Sequence, residues 1–124
     1  MIDHNDGTVT DERTKLMWEQ RPSPVRYTWK DATALRIASL NAGAFAGYTD
    51  WRLPTVQELA GLVDYTRRDP AINRIFALCD GRYWSSTTLT TSPFYAVLVL
   101  FTNGDVSFSF EGNSHYVQAV RAGS

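Results

Sequence analysis

The chain has 124 residues and a formal net charge of −1, a length that suits one domain and a charge that excludes a dedicated nucleic-acid binder. Its 44% hydrophobic and 20% charged content excludes wholesale disorder, and its longest mostly apolar run, 95–101, is too short to cross a bilayer. The single cysteine, Cys79, excludes an internal disulfide and any zinc site needing two thiolates.

Taken in chain order, residues 1–6 lack the basic start and apolar stretch of a signal peptide, so none is expected in this sequence. Gly7-Thr8-Val9-Thr10 and Lys15-Leu16-Met17-Trp18-Glu19 read as two strands of a hairpin around the polar turn Asp11-Glu12-Arg13-Thr14. Pro22 and Pro24 mark a loop. Thr28-Trp29-Lys30-Asp31 is a helix start, because Thr28 can accept from first-turn amides and Asp31 suits the positive end. That helix is expected to reach about Asn41, with Ala34, Ile37 and Ala38 at i, i+3, i+4 on one side of it.

Asp50-Trp51-Arg52-Leu53-Pro54 precedes a second helix. Trp51 is expected to be buried, Arg52 to be anchored by a carboxylate such as Asp50, and Pro54 to set how the helix begins. Thr55 and Glu58 form a capping box, followed by Val56, Leu59, Ala60 and Val63 at helical spacing, with an end expected near 64–66. A charged turn, Arg67-Arg68-Asp69-Pro70, leads to 71–78, which could hold one helical turn.

After Gly81 the chain becomes aromatic, β-branched and nearly uncharged. Strands are expected at 83–86, 94–101, 106–110 and 116–121. Asn103-Gly104 is a strong two-residue hairpin signal. Used as such, it opposes Phe101 to Val106, Val99 to Phe108 and Val97 to Phe110, making those six one buried face. The other face, Leu98, Leu100, Thr102, Asp105, Ser107 and Ser109, is then expected to look outward. The whole reads as an α+β domain, with two helices between an N-terminal hairpin and a C-terminal antiparallel sheet.

Little here resembles a reaction centre. Nothing in the spacing brings His4 or His115 to Cys79, so a buried, inert thiol is expected. Ser85 and Ser86 have no Gly-x-Ser-x-Gly elbow, no carboxylate pair stands out, and no glycine-rich phosphate loop is present. Asp3, Asn5 and Asp6, like Asn103 and Asp105, fit turns better than a calcium loop. The bunched Arg21, Arg26, Lys30 and Arg36 form a weak basic surface, read chiefly as a solvated helix face. The expectation is a non-enzyme without metal or cofactor. Ten Arg against two Lys, with 16 aromatics, suit buried rings with fixed ion pairs, and equally a carbohydrate- or protein-binding face.

Gly7-Thr8-Val9-Thr10-Asp11, Leu16-Met17-Trp18, Thr28-Trp29-Lys30-Asp31-Ala32, Gly47-Tyr48-Thr49-Asp50-Trp51-Arg52-Leu53-Pro54-Thr55, Glu58-Leu59, Tyr83-Trp84-Ser85-Ser86-Thr87, Phe101-Thr102-Asn103-Gly104, Tyr116-Val117 and Val120-Arg121 follow one another in order. Together they resemble the Lcl C-terminal domain family, named for a collagen-like bacterial adhesin. Asp50, Trp51, Arg52, Leu53, Pro54, Trp84 and Arg121 are its structural signature here. The resemblance implies a C-type-lectin-like fold, two helices flanking a twisted antiparallel sheet with the N-terminal hairpin, a secreted or surface location in bacteria or their phages, trimeric assembly, and sulfated glycosaminoglycans as the adhesin's ligand. It also implies kinship with diversified ligand-binding tips of retroelement-varied proteins. The chain departs from the family with Glu111 where a basic residue is usual and Gln118 where arginine is usual.

These readings combine into a non-catalytic binding module for a glycan or protein, without nucleic acid or membrane insertion. Leu98, Leu100, Ser107, Ser109, Asn113 and His115 are the expected contact residues. The alternatives are an assembly subunit of a filament, fimbria or tail, in which Leu98 and Leu100 meet a second copy, and a retroelement-diversified receptor-binding protein.

Overall fold

A computed structural model describes residues 1–67, 71–73, 75–76 and 81–123. Cys79 and Arg68-Asp69-Pro70 lie outside the described residues, as does much of the expected turn at 71–78. The architecture is mixed α/β with two antiparallel sheets, one built on the expected N-terminal hairpin and the other on the expected C-terminal strands, of which the last joins the first sheet instead.

The first sheet has the order β1 (Ile2–Asp3), β2 (Thr8–Asp11), β3 (Leu16–Glu19) and β7 (Val120–Ala122). The expected hairpin is β2–β3, with Val9 opposite Trp18 and Thr10 opposite Met17. β7 pairs with β3 and brings the two ends of the chain into one sheet. The expected strand at 116–121 is reduced to β7, because Tyr116 instead bridges to Tyr83 and Val120 also bridges to Arg52.

The second sheet has the order β4 (Arg82–Leu89), β5 (Ser92–Leu100) and β6 (Asp105–Phe110). The expected register is displaced by two residues. Val99 opposes Val106 and Val97 opposes Phe108, so the connection takes in Phe101 through Gly104. Phe101 leaves the ladder because its ring is fully buried and packs edge-on against Tyr83 at 5.2 Å. Its carbonyl accepts from the Ala71 amide at 2.6 Å. Gly104 closes the turn at φ 87, where a Cβ would stand 2.6 Å from Val63. A shift of two keeps every side chain on its expected side of the sheet.

Which side is buried differs from expectation. Neighbouring residues enter two separate cores: Met17, Trp84, Leu98 and Ala119 one, Trp18, Tyr83, Val99 and Val120 the other. Both faces of the central strands are therefore covered, one by the first helix and the Trp51–Leu53 segment, the other by the second helix. Leu98, expected outward, is fully buried, and Leu100 is partly buried. Val106, Phe108 and Phe110, expected in the core, are instead 54%, 57% and 50% exposed, because no core extends under β6.

The first helix covers 29–42 with a π-helical middle, Ala32–Ile37. A π turn places residues five apart on one side, so Ala32 and Ile37 are buried together while Ala34 and Ala38 are exposed. The second helix, Val56–Ala60, has both halves of the expected capping box and ends earlier than expected, at Gly61.

Candidate functional site

The signature segment is structural, and its ion pairs differ from those expected. Trp51 is buried, its backbone is bracketed by the Asn41 amide at 2.8 and 3.0 Å, and its indole donates to the Phe45 carbonyl. Asp50 does not anchor Arg52. It accepts a two-point contact from Arg121, at 2.6 and 3.2 Å, and Arg121 stacks 3.7 Å from the Tyr48 ring centre. Arg52 instead forks onto Glu58, at 2.7 and 2.9 Å, so Glu58 serves both the capping box and the ion pair. These contacts hold the Glu58 and Asp50 carboxyls below the usual range, the hydrogen bond from arginine being the largest cause in each.

A second structural set was not foreseen. Glu19 is buried between Arg36, at 2.8 Å, and the Ala119 amide, at 3.1 Å, and its backbone carbonyl accepts from Gln118. Gln118 is thus in the interior, and Arg36 from the first helix supplies the positive charge beside Glu19.

The candidate site is a cleft of about 280 Å³ lined by Arg26, Gly81, Arg82, Ser114, His115 and Tyr116. Backbone pairing builds it. Tyr27 and His115 exchange both backbone hydrogen bonds, at 2.8 and 2.9 Å, while Tyr116 donates to the Arg82 carbonyl and accepts from Trp84. These clasps draw the Arg26 loop, the start of β4 and the loop after β6 together. Gly81 permits the approach, since a Cβ there would meet the Tyr116 ring at 3.1 Å.

At the rim, Ser109 and Asn113 meet His115. The Asn113 amide donates to the Ser109 oxygen at 3.0 Å, and Ser109 lies 2.9 Å from His115 Nε2. Ser109 thereby links the Asn113 amide to the His115 ring. The ring packs edge-on against Trp84 at 4.7 Å. Burial, then the charges of Arg82 and Arg26, push the His115 pKa below its ordinary value. Arg26 and Arg82 are both exposed and, among the described residues, neither has a carboxylate within ion-pair distance.

Of the expected contact residues, the structure brings Ser109, Asn113 and His115 together. Ser107 is exposed two positions along β6, on the Ser109 side of the sheet. Leu98 and Leu100 do not join them, being drawn under the first helix and into the turn region. Sequence reasoning missed Arg82; the available signal was a lone cation directly preceding an aromatic strand. A larger cleft of about 560 Å³ near Asp11 and Asp64 is less suited to an ion, because those carboxylates already hold Arg13 and Arg67.

Among the described residues, no three His, Cys, Asp or Glu side chains group so as to hold a metal ion, and no helix is long and apolar enough to cross a membrane. The family model for the Lcl C-terminal domain matches residues 7–121. No curated protein matches the chain.

Proposed function

The chain belongs to the Lcl C-terminal domain family, and on that premise we propose that it is a non-catalytic, C-type-lectin-like binding module of a bacterial or phage surface protein. Its ligand is a glycan carrying anionic groups, held at the Arg26–Arg82–His115 cleft. The observation that carries this reading is a pair of exposed guanidiniums without carboxylate partners among the described residues, lining one cleft with a histidine. Guanidinium presents a planar fork that matches sulfate and carboxylate oxygens. Neutral His115 and Ser114 add hydrogen-bonding groups for sugar hydroxyls, and Tyr116 adds an aromatic wall.

The test is retention on immobilised oligosaccharides that are sulfated, carboxylated or neutral. The expected result is binding to the charged sugars, released as salt shortens the reach of the charges to below about 5 Å. Combined Arg26→Gln and Arg82→Gln substitution is expected to abolish binding with the fold intact. Undiminished binding by that folded variant, or equal binding to neutral sugars, would sink the reading.

A further inference from the structure

Among the described residues that line the cleft, His115 is the one whose charge can change near neutral pH. It stands where two cations already meet. Arg82 comes from the start of β4 and Arg26 from the loop before the first helix, both exposed and neither holding a carboxylate among the described residues. Tyr27 and Tyr116 flank it through the backbone clasps, Trp84 packs on its ring, and Ser109 and Asn113 stand on the β6 side. The acid nearest to it along the chain, Glu111, lines a separate cleft with Thr28 and Lys30.

The ring can change charge without losing its anchor. A serine hydroxyl both donates and accepts, so the Ser109 contact to Nε2, at 2.9 Å, persists whether or not that nitrogen carries a proton. Among the described residues Nδ1 has no hydrogen-bond partner, and it is not among the buried, orphaned polar atoms, so it is open to a ligand. In the chain alone, burial and then the charges of Arg82 and Arg26 work against a proton on the ring. An anionic group held by the two guanidiniums reverses the second cause, because it offsets their charge and adds an attraction of its own.

We propose that His115 is a third, proton-gated cation of the cleft, so that seating an anionic group at Arg26 and Arg82 is coupled to uptake of a proton by the His115 ring. This rests on the cleft being the anion site proposed above, and adds its regulation. The coupling is reciprocal: the ligand favours the charged ring, and the charged ring favours the ligand. Affinity is therefore highest at a pH below the pKa that His115 has in the chain alone. It declines as pH rises through the higher value that His115 has in the complex. Each pH unit between those two values changes affinity about tenfold. Such a site grips its ligand in mildly acid surroundings and loosens toward neutrality. Uncharged sugars give the ring no charge to answer, so they gain nothing from the added proton.

The probe is a sulfated disaccharide, because a sulfate ester keeps its charge throughout this range and any pH dependence then belongs to the protein. Calorimetry at constant ionic strength, in buffers free of phosphate and sulfate, is run from about pH 8 down to about pH 5. Affinity is expected to rise about tenfold. In magnetic resonance titrations of the unaltered chain, the His115 midpoint is expected to move up by about one pH unit at saturating probe. The ring signals of His4, which lies beside β1 and bonds to Thr10, are expected not to respond to the probe. His115→Gln is expected to remove the pH dependence; if that variant fails to fold by circular dichroism, the His115 midpoint in the unaltered chain decides. Constant affinity across the range, an unmoved midpoint, or an equal rise in folded His115→Gln overturns the proton coupling and leaves the cleft reading standing. No binding of the sulfated probe at any pH overturns both.

Discussion

β4 and β6 are the two neighbours of the same central strand, yet they live in opposite environments. Tyr83, Trp84 and Ser85 of β4 are all buried, whereas β6 is exposed or partly exposed along its length. Both have aromatic residues, and both pair regularly with β5 over the segment nearest the turn. The difference is what lies beyond the strand. β4 has Tyr116 and Pro54 on its outer edge and a core on each face; β6 has neither. The aromatic rings of β4 therefore stabilise the fold, while those of β6 remain largely exposed.

The sharpest way to break this contrast is Trp84→Ala. Trp84 is fully buried, and its indole donates to the Tyr27 carbonyl at 2.8 Å. Removing it loses the transfer free energy, opens a cavity and takes away one of the two hydrogen bonds that the Tyr27 carbonyl accepts, a cost of about 3–5 kcal/mol. Denaturant unfolding measures it; a loss below about 1 kcal/mol would contradict the two-core description. The effect should extend to the cleft, because Trp84 supports His115 and the Tyr27–His115 clasp.

Gly104→Ala tests where the contrast begins. The turn into β6 needs φ 87, and the new methyl carbon would come within 2.6 Å of Val63. Left-handed strain and the clash together are expected to cost about 2–3 kcal/mol. A neutral result would contradict both the left-handed backbone at Gly104 and its close approach to Val63.

His115 joins the two strands, packing on Trp84 of β4 and meeting Ser109 of β6. Burial, then Arg82 and Arg26, depress its folded pKa. The unfolded chain therefore takes up the proton first as pH falls. The associated stability is fully present above the ordinary imidazole value of about 6.5 and is lost as pH falls through the lower folded value. Urea midpoints across that window should decline in the parent and flatten in His115→Gln. An unchanged slope in the variant would move the titration elsewhere.

Local signals were legible in the chain. The hairpin at 8–19, the Thr55–Glu58 box and the buried Trp51 each depend on neighbours within about a dozen positions. So was the parity of β5 and β6, since a shift of two preserves faces. Burial was not legible, because alternation of leucine with valine says which residues share a side without saying what covers it. Serines 107 and 109 marked the edge strand, and reading them as a solvent face for the whole sheet placed Leu98 outside. The partners of charges were equally hidden: Arg121 reaches Asp50, and Arg36 reaches Glu19, across folds of the chain that no spacing encodes. Of the site, Ser109, Asn113 and His115 could be named from loop position and polarity, but Arg26 becomes a neighbour of His115 through the Tyr27–His115 bridge and Arg82 through the Tyr83–Tyr116 bridge.

The smallest effect is the most discriminating for β6. Phe108→Ser should change folding stability by no more than about 0.5–1 kcal/mol. Phe108 is 57% exposed, and its ring meets Tyr95 edge-on at 5.8 Å, so truncation removes one partial aromatic contact and leaves no enclosed cavity. Its amide takes no part in the β5 ladder, whose alternation is set where the Glu111 amide donates to the Phe94 carbonyl, so the sheet keeps its hydrogen bonds. A loss approaching that of Trp84→Ala would mean that β6 is buried within the monomer, and the difference between the two neighbours of β5 would vanish.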